Sequence, residues 1–543
     1  MSAPADSIAL RRALDRVTYG ASPALVEEAQ RLGWTDWIDQ QLAPDDSQDA
    51  ELDHRLRAFK LLIDYEIDPS ADGKAMMMKG GKPHVKEMRP LKYLDRPVEQ
   101  VFPICRDDKM PYGEKERPMH ELILATILRA AFSRWQVRER VVGFWHDHFN
   151  IDAEKDDTIL VSIPSFDREA IRRHALGNFR QLLEAVARST AMLYYLDGVE
   201  SRASPANENF ARELFELHTL GARHYFNHLY TKWRDVPGAL DGQPTGYIDQ
   251  DVYEAARCFT GWTVENGDED DGGIKRPLTG KFLVHDAWHD PYQKRVLGTE
   301  FDSQRPALED GLRVLDLVAA HPATARFIAE KLCRRFLADS PPESLIAKAQ
   351  ETFTTQRDAP DQIARTLRTI FLAPEFVDAP KSKLKRPLEY LASLVRCGGI
   401  EFTPTMDVNW ALESMGQRLF RWHTPAGHPD TAAYWTGGTF LLRRWNFART
   451  VAFDDDWKKI TGCRYLSLTP PDCRTTGAVL DYWHQRLTGE AVPDTVRDAL
   501  LKTLSRDGGK DPAEEFRGGD RERTERLSSC CALIAASPAF QLR

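Results

Sequence analysis

The chain has 543 residues, 42% hydrophobic and 29% charged, a composition that excludes wholesale disorder and a bilayer protein. Lysine plus arginine number 73 and aspartate plus glutamate 82, a net charge of −9, so the surface is not the basic one that sequence-independent nucleic-acid binding needs. No stretch approaches the roughly 20 apolar residues of a membrane helix. Met1 to Ile8 shows no positive start followed by an apolar core, and the Arg11-Arg12 pair leads into Ala13, Leu14, Asp15 and Arg16. The expectation is a cytoplasmic protein, with export alongside a partner left open.

Length over about 150 residues points to roughly three or four domains, with one large helical domain as the alternative. Residues 1–64 read as N-terminal helices: Ile8, Leu10, Leu14 and Val17 recur at helical spacing, and Ser22 is placed to cap a helix that starts at Pro23. Residues 65–118, rich in lysine, glycine and methionine (Asp72-Gly73-Lys74, Lys79-Gly80-Gly81), read as a loop or lid insertion. Residues 119–300 read as a helical core with the candidate site. Leu122, Leu124, Ile127, Leu128, Ala131 and Phe132 form one stripe there, and Val137, Val141, Phe144 and His148 continue a 4-3-4 spacing. Strand-like pieces follow near 280–300. Residues 301–400 form a helical block, 401–475 an irregular aromatic and proline-rich region, and 476–543 C-terminal helices. The fold class is mainly α, a multi-helix globular core with few short strands and long loops.

The eight cysteines form no CxxC pair and read as buried free thiols. No GxSxG elbow, phosphate loop, dinucleotide fingerprint or kinase motif set is present, which leaves serine-hydrolase, P-loop and Rossmann readings without support. Chemistry-bearing residues concentrate in four places. The first is Phe144-Trp145-His146-Asp147-His148-Phe149-Asn150. Two histidines at i and i+2 lie ~200° apart on a continuous helix and converge only if the helix ends near His146. Histidine is the commonest neutral metal ligand, and Asp147 is placed to orient a ring through its second nitrogen. The alternative is that His148 is a core residue on the Val137/Val141/Phe144 stripe.

The second is Asn207 to Gly221. At 100° per residue Phe210, Leu214 and Leu217 share a face, while Asn209, Glu213 and Glu216 fill a sector about 60° wide with Arg212 on its margin. Carboxylates three apart on a helix present oxygen ligands to a metal; without one they repel, and one is pushed toward a raised pKa. The bland alternative is an exposed face with an Arg212–Glu216 pair worth a few tenths of a kcal/mol. The third is His285-Asp286-Ala287-Trp288-His289-Asp290 with Lys294, two His-Asp steps that lack the glutamate of a zincin. The fourth, His423 to Asp430 with Tyr434-Trp435 and Arg443-Arg444, suits a pocket rim or an inter-helix connection.

With these segments in view, the chain resembles the bacterial family called domain of unknown function 1800. Leu10 to Ser22, Phe144 to Phe149, Asn207 to Gly221, Asp251 to Arg257 with Thr260-Gly261-Trp262, and His289-Asp290 with Lys294 carry the likeness. Lys331 to Phe336, Lys385 to Glu389 and Ala536 to Phe540 extend it over nearly the whole chain. The resemblance implies a largely helical protein and supplies no settled activity. It also implies a genomic companion, the sulfatase-like domain-of-unknown-function 1501 family, and so a partner.

The leading expectation is a metal-dependent enzyme, hydrolase or oxidoreductase, with a His/carboxylate site in a helical core. His146, His148, Glu213, Glu216 and His289 are the expected metal ligands or near-ligands. Glu208, Arg212, Asp290 and Lys294 are the catalytic candidates, the first two orienting substrate with Asn207, the last two at the rim. The donor types suit zinc, iron or manganese. Zinc or manganese favours hydrolysis, and iron, or a haem held by one histidine, favours oxidation. The rival is a non-catalytic assembly or maturation partner of a sulfatase-like protein, its polar clusters being hydrogen-bond networks that fix helix packing.

Overall fold

The apolar spacing from Leu10 to Val17 closes into one helix face: α1 (Ser7–Val17) buries Leu10, Ala13, Leu14 and Val17. Ser22 caps the next helix, Pro23–Leu32, its side chain accepting from the Leu25 N–H, and Pro23 occupies the first turn, where a missing N–H costs nothing. The computed structural model describes residues 7–66, 84–269, 273–453 and 461–543. Helix accounts for 59% and strand for 8%, the mainly-α architecture that periodicity implies.

The middle of the molecule is built by helices without a polar face. α2 (Arg117–Phe132) buries Leu122, Ile123, Leu124, Ile127 and Leu128 in succession, the mark of a helix surrounded by protein. α3 (Gln136–His148) follows after a short corner. α4 (Asp157–Ser165) packs on α2 and is buried except at its first residue, with Asp156 capping it through the Thr158 N–H. Pro164 lies inside α4, and directly beyond it the chain widens into a π-helical stretch, Phe166–Arg172. α5 (Asn209–Glu213) runs into a second such stretch, Leu214–His218. Single π turns of this kind recur at functional sites. α6 (Pro322–Phe336) and α7 (Pro387–Gly398) complete the frame, α7 lying against α2.

One hydrophobic cluster reaches from Leu10 to Phe540, so all the blocks expected from sequence contribute to a shared core. Among the described residues strands occur as two-stranded antiparallel pairs: β1 (Lys60–Glu66) with β2 (His84–Pro90), β3 (Trp262–Asn266) with β4 (Leu278–Val284), β5 (Lys294–Val296) with β6 (Thr299–Phe301), and β7 (Glu401–Phe402) with β8 (Thr461–Gly462). The described part of the expected loop at 65–118 holds a strand and short helices. β1 buries Leu61 and Ile63 on alternate positions, β2 pairs along its whole length, and short helices follow at Val98–Val101 and Tyr112–Lys115. Asp72-Gly73-Lys74 and Lys79-Gly80-Gly81 lie outside the described residues. The region 401–475 likewise holds helices, Met406–Ser414 and Gly438–Phe453, with the prolines confined to their flanks. Among the described residues no helix is long and apolar enough to cross a membrane.

Candidate functional site

α3 runs unbroken to His148, so His146, Asp147 and His148 leave it in three directions and the two imidazoles do not converge. His148 goes into the core. Its ring packs against Phe144 and Phe149, and its Nε2–H donates to the His218 carbonyl at 3.0 Å. Burial, with the nearby Lys331 charge, pushes His148 well below the usual histidine range and His218 down to about 3, so both rings are neutral.

His146 faces a recess beside α2, α4, α7 and the chain around Gln417–His428. Its Nε2 lies 2.9 Å from Asp167 Oδ1, on the first π-helical stretch. Burial raises the Asp167 pKa, but Arg172, His146 and Arg129 together hold it well below the carboxylate range. An ionised carboxylate only accepts, so His146 carries its proton on Nε2. Nδ1 has no hydrogen bond to any described residue. The ring is gripped edge-on by Phe166 and Phe420, at 5.8 and 4.9 Å between centroids. Phe420 holds a left-handed backbone, φ 59°, uncommon for a residue with a side chain and typical of places where function keeps the strain.

Asp147 anchors the other wall. Arg386 and Arg335 both close on its carboxylate, Arg335 at 3.0 Å, and His428 Nδ1 lies 3.1 Å from Oδ1. Burial pushes Asp147 up, yet the two guanidinium groups and His428 pull it far below normal. His428 accepts the Arg418 N–H on Nε2, which uses both ring nitrogens and makes it a neutral orienting group. Asp430 pairs with Arg386 at 2.9 Å and is held at about 2, burial opposing Arg386, Arg335 and Lys383. Glu389 sits between Arg140 and Arg543. Gly427 sets this geometry: its φ is +73°, and a Cβ would stand 2.0 Å from the Asp147 carbonyl oxygen, so only glycine lets the loop lie on the end of α3. The cavity measures about 60 Å³, room for water or a small reacting group.

The other sequence candidates are elsewhere. In the second motif the buried positions run Phe210, Leu214, His218 and Ala211, Phe215, a spacing of four, because the π turn adds a residue. Leu217 is therefore only half-buried, and the 100° spacing assumed for Glu216 fails beyond Glu213. Glu213 is pushed up by burial and by the Glu216 charge, the direction expected for close carboxylates. The ion pair on this helix is Arg212–Glu208 at 3.1 Å, not Arg212–Glu216, and both side chains are over a third exposed, so its worth is small. In the third motif His289 spends both nitrogens, Nδ1 on Thr260 and Nε2 on Asp310. Lys294 donates to Asp310 at 2.9 Å and to the Asp290 and Tyr292 carbonyls, while Arg257 clamps Asp290 with two nitrogens.

The expected ligand set is thus dispersed: His146 on Asp167, His148 in the core, Glu213 and Glu216 on the second π stretch, His289 on Asp310. Among the described residues no group of three or more His, Cys, Asp or Glu side chains stands where it could hold a metal ion. As placed, the expected donors do not form a shared metal site. The recess instead recruits Asp167, Arg335, Arg386, Glu389 and His428, which the motif reading did not put forward as site residues. Two signals point to four of these and none to Asp167. Arg335, Arg386 and Glu389 lie in segments that carry the family likeness, and His428 lies in the fourth region, whose prolines and glycine suit a rim.

The family model described as "Protein of unknown function (DUF1800)" matches residues 12–542. No curated protein and no solved structure matches the chain. Segments far apart in sequence, at Tyr19, His146, Arg335 and Arg386, meet at this recess of a mainly-α fold. With a family match over nearly its full length, the chain belongs to the DUF1800 family of proteins of unknown function.

Proposed function

We propose that the chain is an enzyme whose active site is the recess at the end of α3, with His146 as general acid–base. The observation that carries this is the state of His146: Asp167 takes Nε2–H, and Nδ1 has no partner among the described residues, on a ring that lines the cavity. A carboxylate in that position fixes the tautomer and stabilises the imidazolium that forms when Nδ1 takes a proton. The small cavity suits activation of a water, and the reaction class is hydrolysis. Arg335, Arg386, Asp147 and Asp430 then form a lattice that holds α3, α6 and α7 in register around the imidazole.

A second reading, a non-catalytic assembly partner of a sulfatase-like protein, draws support from that same lattice, whose charges answer one another. The two separate in one experiment. The purified protein is screened against chromogenic carboxylic, phosphoric and sulfuric esters beside His146→Gln. The enzyme reading expects turnover of at least one ester, reduced about 10²–10⁴-fold in the variant, with an unaltered circular dichroism spectrum. No turnover across the panel, or turnover that the variant keeps, overturns it; a stable complex with a sulfatase-like protein that survives the substitution then favours assembly.

A further inference from the structure

Lys331 is a cation the recess does not use. It lies on α6, one turn before Arg335, and lines a separate cavity of about 490 Å³ between α6 and the turn Leu220–His224. Arg223, Arg326 and Arg334 line it too, against a single carboxylate, Glu330. That carboxylate is already spent, on Arg223 at 3.1 Å and on Arg334. Arg326 turns to Glu343, which does not line the cavity. Among the described residues the Lys331 ammonium has no hydrogen-bond or carboxylate partner; it lies over the Phe327 ring, 5.2 Å from the centroid. The floor is closely built. Gly221 has φ +88°, and a Cβ there would meet Phe327 at 2.8 Å, so the turn is held tight against the ring.

We propose that this cavity is a binding site for an organic anion, its phosphate or carboxylate head taken by Lys331 and Arg326. Four cations stand against two carboxylates, Glu330 in the cavity and Glu343 beside it, which still leaves an excess of positive charge in a concave, partly apolar pocket, the arrangement that collects anions. Burial pushes the Lys331 ammonium down to about 8, with the Asp430 and Asp147 charges limiting the fall. The ligand extends beyond its head. A neighbouring cavity of about 650 Å³ shares His224, Ala323 and Arg326 with this one and adds Leu297, Leu317 and Pro322, which suits an apolar body.

The test is calorimetric titration of the full chain with inorganic phosphate, phenyl phosphate and benzoate. Saturable binding of phenyl phosphate or benzoate, tighter than that of inorganic phosphate, is expected. The two aromatic probes tell a phosphate head from a carboxylate. Lys331→Met and the half-exposed Arg326→Ala should each weaken binding about tenfold or more. Arg326→Ala keeps the test open if removal of Lys331 disturbs folding. No saturable binding below about 10 mM for any probe, or binding that neither substitution weakens, overturns the proposal. The readout is binding, so it stands apart from any turnover at the recess.

Discussion

Two clusters in this protein use the same side chains to different ends. Around His146 and around His289 an imidazole meets a buried aspartate flanked by cations. At His289 every valence is consumed: both ring nitrogens, all three Lys294 protons and both Asp290 oxygens have partners, and Lys294 and Asp310 are 1% and 0% exposed. That cluster ties the Asp249–Cys258 helix, the 285–296 turn and the start of the Ala307–Ala320 helix together. At His146 one nitrogen is held and the other is open to a cavity. Residue type marks both as candidates; free valence and access separate a fastening from a reactive group.

The widest gap between the clusters should appear in stability. Asp310→Asn leaves Lys294 and His289 buried without their carboxylate and should cost about 3–5 kcal/mol in urea unfolding, whereas His146→Gln should cost no more than about 1 kcal/mol. Equal losses would erase the distinction. A smaller effect is expected at Gly427→Ala. The Cβ meets the Asp147 carbonyl and the residue must hold a left-handed φ, so about 2 kcal/mol or more should be lost, with His428 displaced from Asp147. An unchanged melting temperature would mean the loop is not seated on α3 as described.

The third comparison is with the buried pair His148 and His218. Both fold as neutral imidazoles with depressed pKa values, while the unfolded chain protonates them near pH ~6.5. Below that pH the unfolded state binds more protons, so unfolding free energy falls as pH falls, down toward the folded value of about 3 for His218. Each ring should contribute up to ~1.4 kcal/mol per pH unit. His218→Phe should flatten the slope between pH 5 and 6.5 in urea titrations at stepped pH; an unaltered slope would place the sensitive groups elsewhere. The smallest effect concerns metal. With the donors dispersed, purified protein should carry no stoichiometric transition metal and show no visible band. One equivalent lost on both His146→Ala and His289→Ala would restore a shared ligand set.

Much of the backbone was legible because its causes are local. Ser22 and Pro23 start a helix where capping rules place one, and the all-round apolar run from Leu122 to Leu128 marks a central helix. The readings that shifted did so where local rules met a longer constraint. The π turn after Glu213 moved the buried face from Leu217 to His218, and β1 formed because Leu61 and Ile63 had a core to enter.

The sequence by itself determined the mainly-α class, the helix boundaries set by caps and prolines, and the short list of residues able to do chemistry. Tertiary structure alone decided which of them are free to do it. Asp147 finds His428 281 positions away and Arg386 239 positions away, and those long-range pairs decide which nitrogens and carboxylates are spent. Periodicity reports the direction a side chain leaves its helix; it carries no information about what waits there.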